Sequence, residues 1–128
     1  MPNQNITTLY NNAVELLKQL ISTPSFSKEE NETAEIICSF FDTHAIPFSR
    51  VGNNIYAKNK YYDATKKSIL LNSHHDTVKP NKGYTLDPFT PIIKDGKLFG
   101  LGSNDAGGCL VSLIATFLYF YEKQNIKP

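Results

Sequence analysis

The chain has 128 residues, 41% of them hydrophobic and 20% charged, with 13 basic side chains against 12 acidic ones. That is the composition of one globular domain with enough apolar mass to bury a core. A net charge of +1, without any Lys/Arg run, leaves no electrostatic footprint for nucleic acid. The longest apolar stretch, residues 109–120, is interrupted by Ser112 and Thr116 and is too short to span a bilayer. The N-terminal Met-Pro-Asn-Gln-Asn has neither a basic nor an apolar leader region, so no secretory signal is expected. Cys38 and Cys109 make no disulfide framework, and a reduced, cytoplasmic protein is the expectation. With twelve Lys and a single Arg, guanidinium clamps for phosphate or carboxylate are nearly absent.

Residues 8–21 carry Leu9, Ala13, Leu16, Leu17 and Leu20 at the spacing of one helical face. Ser22-Thr23-Pro24-Ser25 ends that helix. Ser27 followed by Glu30 reads as a capping box opening a second helix, with Ala34, Ile37, Cys38 and Phe41 on its buried side. His44-Ala45-Ile46-Pro47 closes it. Residues 48–51 and 54–58 flank Gly52-Asn53, a tight-turn signal. Residues 68–72 read as a buried strand, because their apolar side chains run without alternation between polar flanks. Residues 91–94 and 97–99 flank Asp95-Gly96, the strongest hairpin signal in the chain. Residues 106–123 predict a final helix, apolar nearly all round and so buried on more than one side. The class is α/β, with a strand feeding a loop where open α/β sheets place their sites.

Two segments could carry chemistry. Ser73-His74-His75-Asp76-Thr77-Val78 follows the predicted strand directly. In extended chain alternate side chains share a face, so His74 and Asp76 point together and His75 points away. A His with a carboxylate behind it suits a metal ligand whose tautomer is fixed; a polar strand end is the plainer reading. The second segment is Gly100-Leu101-Gly102-Ser103-Asn104-Asp105-Ala106-Gly107-Gly108. Asp105 stands where a helix N-cap belongs, so capping is its plainer role. A phosphate-cradling loop is disfavoured because no G-K-[ST] follows. Imidazole and carboxylates without thiolate suit zinc, cobalt or manganese in Lewis-acid hydrolysis. His74, Asp76 and Asp105 cannot complete such a site alone, and the Glu residues present lie on helix faces where solvated charge is ordinary.

Residues 69–78, Ile-Leu-Leu-Asn-Ser-His-His-Asp-Thr-Val, resemble the first signature of the zinc metallohydrolase family of acetylornithine deacetylase, succinyl-diaminopimelate desuccinylase, aminoacylase and carboxypeptidase G. Leu86-Asp87-Pro88-Phe89-Thr90-Pro91 and Asp95-Gly96-Lys97-Leu98-Phe99-Gly100 are similar to the family's run into its second signature. That signature usually reads G-R-G-x-x-D-M-K-G; here Leu101 replaces the Arg and Ala106-Gly107 the Met-Lys. The variant is most similar to the acetylornithine-deacetylase-like branch.

The resemblance implies that His74 ligates one metal, Asp105 bridges two, and Asp76 acts behind His74. It implies two zinc ions in a complete site, with cobalt as a substitute. The implied reaction is amide hydrolysis of a small N-acyl amino acid, such as N-acetylornithine in arginine biosynthesis, by a homodimer binding neither nucleic acid nor membrane. A desuccinylase or dipeptidase of the same family, or a non-catalytic α/β fragment, is the alternative. The family's general base, a Glu of a Glu-Glu pair, follows the second signature and has no counterpart here. Residues 1–128 are therefore expected to be the N-terminal part of a three-layer α/β/α catalytic domain, without its remainder or the dimerisation domain, and inactive alone. Cys109 is expected to pack, His75 to be a bystander rather than a substrate contact, His44 to meet a helix dipole at the surface, and Phe117, Tyr119, Phe120 and Tyr121 to be core.

Overall fold

A computed structural model describes residues 5–125; Met1–Gln4, part of the leader reading, and residues 126–128 lie outside the described residues. Helix α1 spans Ile6–Ser22, opened by Asn5, whose side chain accepts from the Thr7 amide at 3.1 Å. Its buried residues, Leu9, Leu16, Leu17, Leu20 and Ile21, form the single stripe that the apolar spacing predicts. Helix α2 spans Asn31–Thr43 and buries Ala34, Ile37, Cys38 and Phe41.

The capping box is not formed. Glu30 holds the N-cap position without a side-chain cap bond, and the Ser27 hydroxyl is engaged elsewhere. Lys28 takes a positive φ of 75°, which carries the chain off the path a box would need.

Both predicted hairpins are present. β1 (Phe48–Val51) and β2 (Asn54–Ala57) pair antiparallel, Val51 opposite Asn54, with Gly52 at φ +61° in the first turn position. β3 (Ile92–Lys94) and β4 (Lys97–Phe99) pair around Asp95 and Gly96, at φ +52° and +71°. Two positive φ angles in succession define a type I′ turn, which is why Asp-Gly signals one.

Residues 68–72 form no strand among the described residues, and Ile69 and Leu70 are exposed at 66% and 85%. A buried strand requires neighbours on its edges and faces, and none of the four described strands pairs with this segment. Its inner side borders an open groove of about 420 Å³, lined by Phe41, Ile55, Leu71, Leu110, Leu113 and Phe117. Among the described residues the α/β character therefore consists of three helices and two separate hairpins.

Helix α3 spans Cys109–Phe120, starting three residues later than the pattern predicts, after an irregular helical turn at Ser103–Gly108. It is buried along one stripe, Val111, Ile114 and Leu118, against α1. Leu110, Leu113 and Phe117 face the groove half-buried, so burial on more than one side is not realised. Of the four aromatics assigned to the core, Tyr121 is buried, whereas Tyr119 and Phe120 are 37% and 39% exposed. The core joins α1, α2, Ile46 and α3, with Leu16 at its centre, only 1% exposed.

Candidate functional site

The segment bearing His74 is fastened to the loop between α1 and α2. Thr77 makes a parallel bridge with Phe26; its amide donates to the Ser25 carbonyl at 2.7 Å and its carbonyl accepts from the Ser27 amide at 3.3 Å. The Ser25 hydroxyl donates to the His75 carbonyl at 2.9 Å. A chain held this way along its backbone stays extended, and its side chains alternate. His74 and Asp76 accordingly share one face while His75 turns to the other.

The turn bearing Asp105 is brought up by close backbone approach. Gly102, at φ +80°, lies so near Thr77 that a Cβ there would stand 2.7 Å from the Thr77 methyl. The Gly107 amide donates to the Gly102 carbonyl at 2.8 Å, and a Cβ on Gly107 would meet both that carbonyl and Leu17 at 2.5 Å. Only glycine lets the turn close against the 73–77 segment in this way. The Asp105–Ala106 peptide bond is cis. Asp105 does not cap α3, since Gly108 occupies that position; its carboxylate is 86% exposed and faces His74.

The three residues meet around one ring. Nε2 of His74 lies 3.1 Å from Oδ1 of Asp105, and Nδ1 lies 3.1 Å from both Oδ1 and the carbonyl of Asp76. The Ser27 hydroxyl donates to Oδ2 of Asp76 at 2.5 Å. That hydrogen bond, chiefly, holds the Asp76 carboxyl below the usual carboxylate range, with partial burial opposing it and His74 assisting. No local pattern identifies Ser27 as part of this cluster, because its partner is 49 residues away.

An imidazole nitrogen and a carboxylate oxygen open to solvent are suitable donors for a divalent cation. Zinc at its ordinary bond lengths holds two such donors about 3.3 Å apart in tetrahedral geometry, close to the separation seen here. Among the described residues, no group of three His, Cys, Asp or Glu side chains converges to hold a metal. The pair fits part of a ligand set.

His75 is more than a bystander. Its Nε2 donates to the Asn53 carbonyl at 2.9 Å, and its Nδ1 lies 2.8 Å from the hydroxyl of Thr33, a fully buried residue of α2. His44 caps α2, donating from Nδ1 to the Phe40 carbonyl at 2.8 Å, and its ring packs on Phe40 with centroids 4.2 Å apart. Cys109, expected to pack, is exposed at the start of α3, where the helix turns that position outward. The single arginine, Arg50, is spent on Glu35, Asn31, Asn53 and the Gly52 carbonyl, which leaves it bridging α2 to the first hairpin.

Residues 70–127 match peptidase family M20/M25/M40, and the chain belongs to that family. It is 33% identical over 111 residues to a succinyl-diaminopimelate desuccinylase of Buchnera aphidicola subsp. Acyrthosiphon pisum (strain Tuc7), a match covering 85% of this chain and 30% of that protein. It is 31% identical over 94 residues to the desuccinylase of a Nitratiruptor species, covering 72% of this chain and 25% of that protein. With an acetylornithine deacetylase of Proteus mirabilis (strain HI4320) it shares 32% identity over 116 residues, covering 79% of this chain and 29% of that protein. The chain spans under a third of the length of these curated relatives. No helix among the described residues is long and apolar enough to cross a membrane.

Proposed function

We propose that this chain supplies the first part of a metal-dependent amide hydrolase that releases the acyl group from a small N-acyl amino acid. The observation that carries this reading is the meeting of His74 Nε2 and Asp105 Oδ1 at 3.1 Å, with Asp76 behind the other ring nitrogen. His74 and Asp105 are the proposed metal ligands, Asp105 being the one able to bridge two ions. Asp76 is proposed to orient His74. Zinc bound there would supply Lewis acidity toward an amide carbonyl. The remaining ligands and the general base belong to the part of the catalytic domain beyond residues 1–128. A cytoplasmic homodimer completes the reading.

N-Acetylornithine is the first proposed substrate, on the form of the segment from Gly100 to Gly108. N-Succinyl-diaminopimelate is the second, favoured by the desuccinylases of Buchnera and Nitratiruptor. Both are N-acyl derivatives of diamino acids. The test is amine release from each compound by the product of the whole reading frame containing residues 1–128. Zinc-dependent release from one of them supports the reading; release from neither, with zinc or cobalt present, overturns it.

A further inference from the structure

The His74 ring lies between two carboxylates that compete for its proton. Asp105 faces Nε2 and Asp76 faces Nδ1, each at 3.1 Å. Whichever nitrogen carries the proton, the other presents the lone pair, and the hydrogen bond at one nitrogen decides the state of the other. A ring that is to ligate through Nε2 must keep its proton on Nδ1. The Asp76 carbonyl also accepts there, but a carboxylate accepts roughly twice as strongly as a neutral group. The aim of Oδ1 of Asp76 therefore matters.

Within its own segment the Asp76 carboxylate meets its own amide and the His74 ring, and it is 35% exposed to water. The Ser27 hydroxyl takes Oδ2 at 2.5 Å, and Ser27 is itself held by its amide bond to the Thr77 carbonyl at 3.3 Å. Two attachments, one through the main chain to Thr77 and one through the side chain to Asp76 itself, thus join the α1–α2 loop to this carboxyl and its neighbour.

We propose that Ser27 is a positioning residue for His74: by holding Oδ2 of Asp76 it aims Oδ1 at Nδ1, keeps the ring proton there, and leaves the Nε2 lone pair facing Asp105. The inference deepens the proposed function and rests on its assignment of His74 as a ligand. The lowered position of the Asp76 carboxyl agrees with a donor fixed on it. The Ser27 main-chain bond does not depend on the hydroxyl, so removing the hydroxyl leaves the loop attached.

The test reads the ring directly and needs no metal. In the metal-free whole-frame protein, labelled with 15N in histidine, His74→Ala assigns the signals of His74 and His44→Ala those of His44. Long-range 1H–15N correlations above the ring's own titration report which nitrogen is protonated. The wild type is expected to hold His74 mainly as the Nδ1–H tautomer. Ser27→Ala shifts the population toward Nε2–H, in the direction of Asp76→Ala but less far. Ser27→Thr, which keeps the hydroxyl, restores the wild-type ratio, and His44 stays unchanged as an internal reference. An unchanged ratio in Ser27→Ala, or a wild type already held as Nε2–H, overturns the proposal. Zinc titration of the whole-frame protein is the second arm, with Ser27→Ala expected to weaken binding by about 3–10-fold, at or below the lower end for groups that orient a ligand. Failure of the wild type to bind zinc there would sink the metal reading while the tautomer result stands or falls separately.

Discussion

Nε2 of His74 stands 3.1 Å from Oδ1 of Asp105, although 31 positions separate them in sequence and no strand pairing joins their segments. The approach comes from the backbone. Thr77 is tied to the α1–α2 loop on one side and meets Gly102 on the other, so both segments are referenced to the same residue. A Cβ at position 102 would stand 2.7 Å from the Thr77 methyl, so the two segments could not approach this closely.

Asp105→Asn separates charge from shape. Because Asp105 caps nothing, the substitution should change stability by no more than about 0.5 kcal/mol, the range of surface changes without a special role. Zinc affinity should fall, since the amide lacks the negative charge that lets cations share a site. Thermal melts and zinc titration of the whole-frame protein check the two halves. Normal zinc binding by the variant would remove Asp105 from the ligand set.

His75→Ala should behave in the opposite way. It breaks the bonds to Asn53 and Thr33, two hydrogen bonds each worth roughly 0.5–1.5 kcal/mol net, so stability should fall by about 1–3 kcal/mol. Zinc affinity should suffer less than in His74→Ala. Denaturant unfolding and zinc titration of the same preparations give the comparison. A His75 variant that is stable but loses zinc would put the histidine assignment out of register.

Glu122 offers a pH-dependent check far from the site. The Lys60 ammonium, 2.8 Å away, is the main cause holding its carboxyl down at about 2, against an ordinary value of 4.5. A carboxyl lowered on folding contributes stability above its unfolded value and loses it as pH falls through the folded one. The difference in Tm between wild type and Glu122→Gln should therefore be present at pH 6 and shrink between about pH 4.5 and 2. A difference that grows on acidification would contradict the pairing.

Leu16→Ala tests the core. Leu16 is 1% exposed among Leu9, Leu20, Ile37 and Val111, and truncating such a side chain costs about 2–5 kcal/mol. Urea unfolding measures it. A loss below about 1 kcal/mol would mean that α1 is not packed as described.

What was legible in the sequence followed its local physics. The α1 stripe, both hairpin turns and the alternation of His74, His75 and Asp76 each depend on neighbours within a few residues. The two signatures made the family readable, because they preserve residue types in order. The misreadings concern long-range partners. Residues 68–72 have a strand's composition, but composition does not provide a neighbouring strand. Ser27 and Glu30 have a capping box's spacing, yet Ser27 is engaged by Asp76 across the fold. Asp105 occupies a cap's place in the pattern, but the helix starts beyond it. His75, read as a bystander, is tied to Thr33 and Asn53, partners 42 and 22 residues away.

The central claim is that His74 and Asp105 hold a metal, and zinc titration of the whole-frame protein with and without His74 tests it most directly. The account predicts stoichiometric zinc binding by the wild type and a large loss of affinity in His74→Ala, with the variant still folded by circular dichroism. Undiminished zinc binding by folded His74→Ala would contradict it.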